Sequence, residues 1–267
     1  MKFTRIISSL KLALPLACGL TLTAASALVA FAKADPAPFS PAQTNAIGAV
    51  VKSYLINHPE VIEQAEKALL AKHKLDAQAA QVAAIKSYAG VIFNSAHQTI
   101  LGNPKGKVVM AEFFDYNCPY CKLSQPVLAK LVAANPDLKI VLKDFPVLGP
   151  GSVEAARVES AVRAQLTPVK LADFHHQLLG EKVHVGKAEA LAIAKREGAD
   201  TTKVEADMGS PAVKADIGAV MDVADKLNLT GTPTFVLGDD IIVGAVGFDE
   251  LQTKITNMEK CGKVACS

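Results

Sequence analysis

The chain has 267 residues, half of them apolar and a fifth charged, with no Trp and no biased tract. That is the composition of a folded globular protein with ample material for a core. Residues 1–34 hold Lys2, Arg5, Lys11 and Lys33 and no acid, and the remainder carries 24 basic against 26 acidic side chains. A nucleic-acid binder shows a concentrated basic stripe, and none is present.

Taken in chain order, Met1–Lys11 is basic, Leu12–Phe31 is apolar, and small residues close the segment at Ala30-Phe31-Ala32 or Ala32-Lys33-Ala34. This order predicts a secretory signal over 1–34, cleaved after Ala32 or Ala34. The apolar run is also long enough to be kept as a membrane anchor. Either way the rest of the chain is expected outside the cytoplasm. Cys18 lies in this segment, where Pro15 spoils a lipobox and the residue reads as part of a discarded helix.

Asp35–Pro41 reads as a linker. Ile47, Val50, Val51, Tyr54 and Leu55 then recur at helical spacing. Asn57-His58-Pro59 interrupts, and a second apolar face runs from Val61 to Ile85. Helices that precede any strand must bury their stripe against something. The partner is either the following domain or another copy of the chain; the favoured reading is a helical region over 35–98 that self-associates as a dimer or trimer, with a helical wrap on its own domain as the alternative.

After the turn cluster Gly102–Gly106, Lys107–Phe114 reads as a buried strand, Pro119–Ala134 as a helix and Leu138–Phe145 as a second strand. Strand, helix and strand in that order predict a right-handed parallel unit. A helical stretch over about 152–227 follows, broken near Thr167-Pro168, Gly180, Gly186 and Gly198. Thr234–Leu237 and Ile241–Val243 form the expected hairpin, and Phe248–Lys260 the last helix. The expected fold is α/β, a small mixed sheet over 99–267 interrupted by helices.

Four cysteines remain beyond the first segment: Cys118, Cys121, Cys261 and Cys266. A domain of this size folds without disulfides, so Cys118-Pro119-Tyr120-Cys121 asks for a chemical explanation. Two cysteines three apart at a helix start can close a disulfide across one turn. The first lies at the positive helix end, which favours a thiolate, and Pro119 is compatible because its missing N–H would have no helical partner. Redox exchange is the preferred reading, with Cys118 as nucleophile and Cys121 as resolving thiol. Half of a zinc site and a structural disulfide are the alternatives, but zinc needs two more ligands and no Cys/His cluster supplies them. Cys261 and Cys266 are expected to form a small terminal disulfide. Gly231-Thr232-Pro233-Thr234 sets a Pro before a strand, a context that suggests a cis peptide bond.

Together, Glu112–Cys121 (EFFDYNCPYC) and Gly231–Phe235 (GTPTF) resemble the DsbA family of periplasmic thioredoxin-fold proteins. The helical lead-in ending in Leu101-Gly102-Asn103-Pro104 is similar to the branch holding the ScsC proteins and the outer-membrane-associated surface antigens. The resemblance implies a thioredoxin fold with an inserted helical domain, a cis Pro233 facing Cys118 and oligomerisation through the N-terminal helices. It also aligns Glu112 with a buried acid that can relay a proton to or from Cys121; Asp115 is the weaker candidate. Tyr120 stands where DsbA oxidases carry His, so Pro119-Tyr120 implies a less oxidising couple. Thr232 is more typical of isomerase and reductase relatives.

The resemblance implies a periplasmic protein, with a membrane-associated or surface-exposed location as the alternative, whose expected activity is thiol–disulfide exchange in exported cysteine-containing clients, with isomerase as well as oxidase character. No organic cofactor and no metal is expected, and a membrane reductase or quinone-linked oxidase is the implied redox partner. The alternatives are a non-catalytic oligomeric scaffold and a copper-handling dithiol. His175 and His176 point about 100° apart on a helix. They, with the scattered His58, His73, His97 and His184, read as ordinary residues.

Overall fold

The computed structural model describes residues 39–95 and 98–266. The expected signal over 1–34, Cys18 and His97 lie outside the described residues. The chain divides into two compact units, Met1–Glu63 and Gln64–Ser267.

In the first unit, α1 (Pro41–Asn57) starts at a complete capping box. Ser40 Oγ accepts from Gln43 N, and Ser40 N donates to Gln43 Oε1. These contacts use two donors that the first turn would otherwise leave unpaired. Ile47, Val50, Val51 and Tyr54 are exposed along α1.

α2 (Glu60–Phe93) carries exposed Leu69, Leu70 and Leu75, whereas its last turns bury Ile85 and Ile92 in the core. This end belongs to the sheet domain because the apolar spacing stays helical while the side chains meet Phe113, Phe145, Val220 and Val236.

The sheet comprises β1 (Ile100–Gly102), β2 (Val108–Phe114), β3 (Leu138–Asp144), β4 (Thr234–Leu237) and β5 (Asp240–Val243), in the order β1-β3-β2-β4-β5. β2 and β3 are parallel across α3 (Pro119–Ala134), and β4 is antiparallel to β2. Their near-continuous apolar runs suit a sheet covered on both faces. Met110, Glu112 and Phe114 line one face of β2, and Ala111 and Phe113 the other. The first face packs with α3 and α9 (Phe248–Cys261); the second packs with α2 and α8 (Pro211–Lys226).

Between β3 and β4 run α4 (Pro150–Val162), α5 (Pro168–Gly180), α6 (Lys187–Arg196), α7 (Thr201–Asp207) and α8. Side chains of Thr167, Asp200 and Ser210 cap three of them, as short oxygen-bearing side chains do at helix starts. This is a thioredoxin-type sheet with a helical insertion and an N-terminal helical extension, as the sequence predicts. β1 was not anticipated. Its three residues sit in a turn-rich stretch and pair only with β3, from the sheet edge.

Candidate active site

β2 ends at Phe114, and Asp115-Tyr116-Asn117 carries the chain to Cys118, the N-cap of α3, with Pro119 at the first helical position. Asp115 O accepts the Cys118 N–H at 3.0 Å and closes this loop. Cys118 and Cys121 are both buried free thiols. The Cys118 thiol donates to Thr232 O at 3.1 Å, and the Thr232–Pro233 peptide bond is cis. The loop around that bond is tied by Thr234 Oγ1 donating to Gly231 O and by Gly244 N donating to Pro233 O, each at 2.8 Å. Two distant stretches of chain, one ending β2 and one starting β4, therefore meet at a single sulfur.

Cys121 stands one turn inside α3 and is fully buried. Burial pushes its thiol far above the ordinary range, and the neighbouring Glu112 charge adds to the rise; hydrogen bonds with the Asp115 backbone and the Thr232 side chain act against it. A buried thiol of this kind holds its proton until a base removes it. Cys118, by contrast, caps a helix N-terminus, where backbone N–H groups lack helical partners and the dipole is positive. The two sulfurs are chemically unequal.

Glu112 explains part of that inequality. It lies on the α3 face of β2, in register with Leu142 of β3 and Phe235 of β4, both fully buried. Neither carboxyl oxygen has a hydrogen-bond partner. Burial pushes Glu112 up to about 8, so its proton is exchangeable near neutral pH. Its charge is among the causes that raise the Cys121 thiol.

Pro119 and Tyr120 are exposed between the cysteines, Tyr120 at 61%. Cys261 and Cys266 are bonded to each other at the end of α9, with Cα atoms 6.2 Å apart. His175 is buried against Phe114 and meets Tyr116 Oη at 3.3 Å; burial lowers it to about 4, so it is a neutral core residue. Among the described residues no three His, Cys, Asp or Glu side chains group as metal ligands.

Sequence reasoning missed how the loop is held. The Asp115 carboxylate accepts from Asn117 N and Ser152 Oγ on one oxygen, and from Val147 N and Leu148 N on the other, at 2.7–2.9 Å. Asn117 donates to Ser152 Oγ and Val185 O and accepts from Val185 N. The signal was present: Asp and Asn just before a helix commonly bond nearby backbone. Its long-range half, reaching residues 147–152 and 185, has no local signature.

A family model described as the DSBA-like thioredoxin domain matches residues 109–256, more than half of the chain. The chain belongs to the DSBA-like thioredoxin family. A second model, the copper resistance protein ScsC N-terminal domain, matches residues 43–74, which makes this an ScsC-like member of that family.

Among solved structures, a thioredoxin-like oxidoreductase from Silicibacter pomeroyi is 38% identical with a TM-score of 0.60, covering 64% of this chain and 98% of that one. A linker-deleted mutant of Proteus mirabilis ScsC is 27% identical with a TM-score of 0.62, covering 84% and 98%. The thiol:disulfide interchange protein DsbA of Bordetella parapertussis is 24% identical over 178 residues, 64% of this chain and 80% of that protein. The chain also spans 24% and 21% of the lengths of two curated relatives, Na(+)/H(+) antiporters of Salinispora arenicola and Salinispora tropica.

Proposed function

We propose that the protein is an exported thiol–disulfide oxidoreductase whose Cys118–Cys121 pair exchanges disulfides in cysteine-containing clients, with isomerase as well as oxidase character. The observation that carries this reading is the Cys118 thiol at the start of α3, bonded to Thr232 O beside the cis Thr232–Pro233 peptide. Family membership supports the same chemistry.

In the reducing direction the Cys118 thiolate attacks one sulfur of a client disulfide. A Cys118–client mixed disulfide forms and the other client sulfur leaves as a thiolate. Cys121, giving its proton to Glu112, then attacks the Cys118 sulfur and expels the client thiolate. The protein becomes the Cys118–Cys121 disulfide, and the client gains two electrons. The reverse sequence oxidises a client dithiol. Isomerisation needs no net electrons: the released client thiolate attacks another client disulfide, and a client thiolate finally displaces Cys118.

In this reading the helical region oligomerises the protein, and a membrane redox partner sets whether the pair is kept reduced or oxidised. Thr232, and Tyr120 in place of the His of DsbA oxidases, support the isomerase character. The decisive experiment is refolding of a scrambled, fully oxidised multi-disulfide substrate by the reduced full-length protein. Recovery of native substrate, lost in Cys118→Ser, is the expected result. No recovery, with fast oxidation of a reduced substrate by the disulfide form, leaves an oxidase and overturns the isomerase assignment.

A further inference from the structure

Leu101-Gly102-Asn103-Pro104, which closes β1, contributes nothing to the cysteine site, yet it is firmly held. Asn103 N donates to Leu138 O at 2.9 Å and Asn103 Nδ2 to Pro136 O at 3.0 Å, while Asn103 Oδ1 accepts from Lys105 N at 2.9 Å. Gly102 has φ +80°, and a Cβ on it would lie 2.5 Å from Leu138 O. Only glycine lets β1 end this close to β3.

What these contacts hold in place is a free strand edge. In the β1–β3 ladder Leu142 N donates to Thr99 O and Asn103 N to Leu138 O, with Leu101 opposite Ile140. The alternation of antiparallel pairs then turns Ile100 N–H, Ile100 C=O and Gly102 N–H away from β3. None of the three has a partner among the described residues. Ile100-Leu101-Gly102 carries no charge and no Pro, the usual blocks on such an edge.

A cavity of about 440 Å³ lies along this edge, lined by Ile100 and Gly102, by Leu128 and Val132 of α3 and by Val169 and Ala172 of α5. Val169 is 72% exposed. The two helices are braced, since Gln125 Nε2 donates to His176 O at 3.0 Å. Asp173 brings a carboxylate to the lining and forms no ion pair among the described residues. Burial lowers His176 beside it, so no imidazolium cancels that charge at neutral pH. Leu128 stands ten residues beyond Cys118, about 15 Å along α3, so the cavity is separate from the cysteine loop.

We infer that the β1 edge and the cavity between α3 and α5 form a docking site for an extended client segment, which adds to β1 as a strand, sets alternate apolar side chains into the cavity and places a Lys or Arg beside Asp173. The unpaired backbone groups select a strand, because a helix has already bonded its own N–H and C=O groups internally. The apolar lining selects the alternating side chains, and the carboxylate selects the basic one. A chain not yet folded into its own sheet offers such a backbone, and a client with wrong disulfides is in that state. The client as occupant rests on the exchange reading above; strand addition itself does not. A docked segment would hold its client while cysteines elsewhere in it reach Cys118, at raised effective concentration.

Docking is read by fluorescence anisotropy of a labelled, cysteine-free peptide, Lys-Val-Thr-Val-Thr-Val, with the mature full-length protein. Two further versions carry N-methyl groups on one or the other set of alternate residues. The apolar alternation fixes which set faces β1. One methylated version should therefore lose binding and the other keep it. No binding by the parent peptide, or equal binding by all three, would overturn strand addition. Ile100→Pro removes an N–H that has no internal partner and is tolerated on an edge; Val169→Lys alters an exposed side chain and serves should the first variant not fold. Each should weaken docking about tenfold, and unchanged affinity in both would refute the site.

The client role is tested with a short peptide whose one cysteine is a mixed disulfide with glutathione, alone or joined to the docking segment through about ten Gly and Ser residues, a span of roughly 16–19 Å. The Cys118 thiolate of the reduced protein attacks the peptide sulfur and glutathione leaves as a thiolate. Cys121 then expels the peptide thiolate, and the protein ends as the disulfide. The joined peptide should react about tenfold faster. In Ile100→Pro it should fall to the rate of the unjoined peptide, whose own rate is unchanged. Equal rates for the two in the wild-type protein, with docking intact, would overturn the client as occupant. No reaction with either would overturn the exchange reading and leave the docking measurement standing.

Discussion

Glu112 is the residue at which this fold and the proposed chemistry are in tension. A carboxyl with no hydrogen-bond partner between Leu142 and Phe235 gains nothing from the core around it. Its pKa lies above the ordinary value, rising from 4.5 to about 8, with burial as the cause, so the fold favours the protonated form. The stability it permits is therefore fully present below about pH 4.5 and is lost as pH rises through 8. Glu112→Gln removes that dependence. Between pH 5 and pH 9 the wild-type protein should lose about 4 kcal/mol relative to the variant, read by urea unfolding followed by circular dichroism. Parallel pH profiles in the two proteins would mean that the carboxyl is already ionised or solvated. The same substitution should slow resolution by Cys121, so that mixed disulfides at Cys118 persist. Stability gained at high pH together with slower resolution is what a residue kept for proton transfer would show.

At the scale of elements, the insertion is fastened to the sheet by a buried charge cluster. Arg163 at the end of α4 pairs with Asp144 of β3, Glu159 of its own helix at 3.4 Å and Asp216 of α8 at 3.0 Å. Burial pushes Glu159 up, but the Arg163 guanidinium and hydrogen bonds with Asp144 and Thr99 outweigh it and hold the carboxyl at about 2. Burial and the Glu159 charge push Asp144 up instead. The two carboxyls are thus pushed in opposite directions beneath one guanidinium. Arg163→Met would strand the Glu159 charge, and a loss of about 3–5 kcal/mol in urea unfolding is expected; a change under 1 kcal/mol would mean that water reaches the cluster. Nothing in the sequence pattern points to this cluster, since Asp144, Glu159, Arg163 and Asp216 read singly as solvated charges. The same holds for Lys143, buried in β3 with Nζ on Val91 O and on Ser95 Oγ at 3.0 Å. Apolar runs, turn residues and the CPYC spacing are local signals, and they revealed β2 to β5, the helix breaks and the cysteine loop. Pairings between charges far apart in sequence leave no such periodic trace, and a three-residue edge strand such as β1 is too short to show one.

Over the whole molecule, export and assembly remain proposals with different supports. The basic, apolar and small-residue order of 1–34 supports export, and no helix among the described residues is long and apolar enough to cross a membrane. Assembly rests on α1, whose Ile47, Val50, Val51 and Tyr54 recur at three- and four-residue steps and are all exposed. Isolated helices of about this length are marginal in water without a packed face, so the well-capped α1 calls for a partner, and a second copy supplies the same apolar stripe. Val50→Asp/Tyr54→Asp would set two charges on that stripe. Sedimentation should then show the mature chain as a dimer or trimer and the variant as a monomer. The variant should still oxidise a reduced substrate, because α1 contributes none of the residues named at the cysteine site, but it should lose recovery of scrambled substrate. An isomerase needs a second Cys118 within reach of a client that is still being rearranged, and association provides one at high effective concentration. A mature wild-type chain that sediments as a monomer would remove the role given to α1. An oligomer whose disruption leaves isomerisation intact would show that one copy of the site is sufficient.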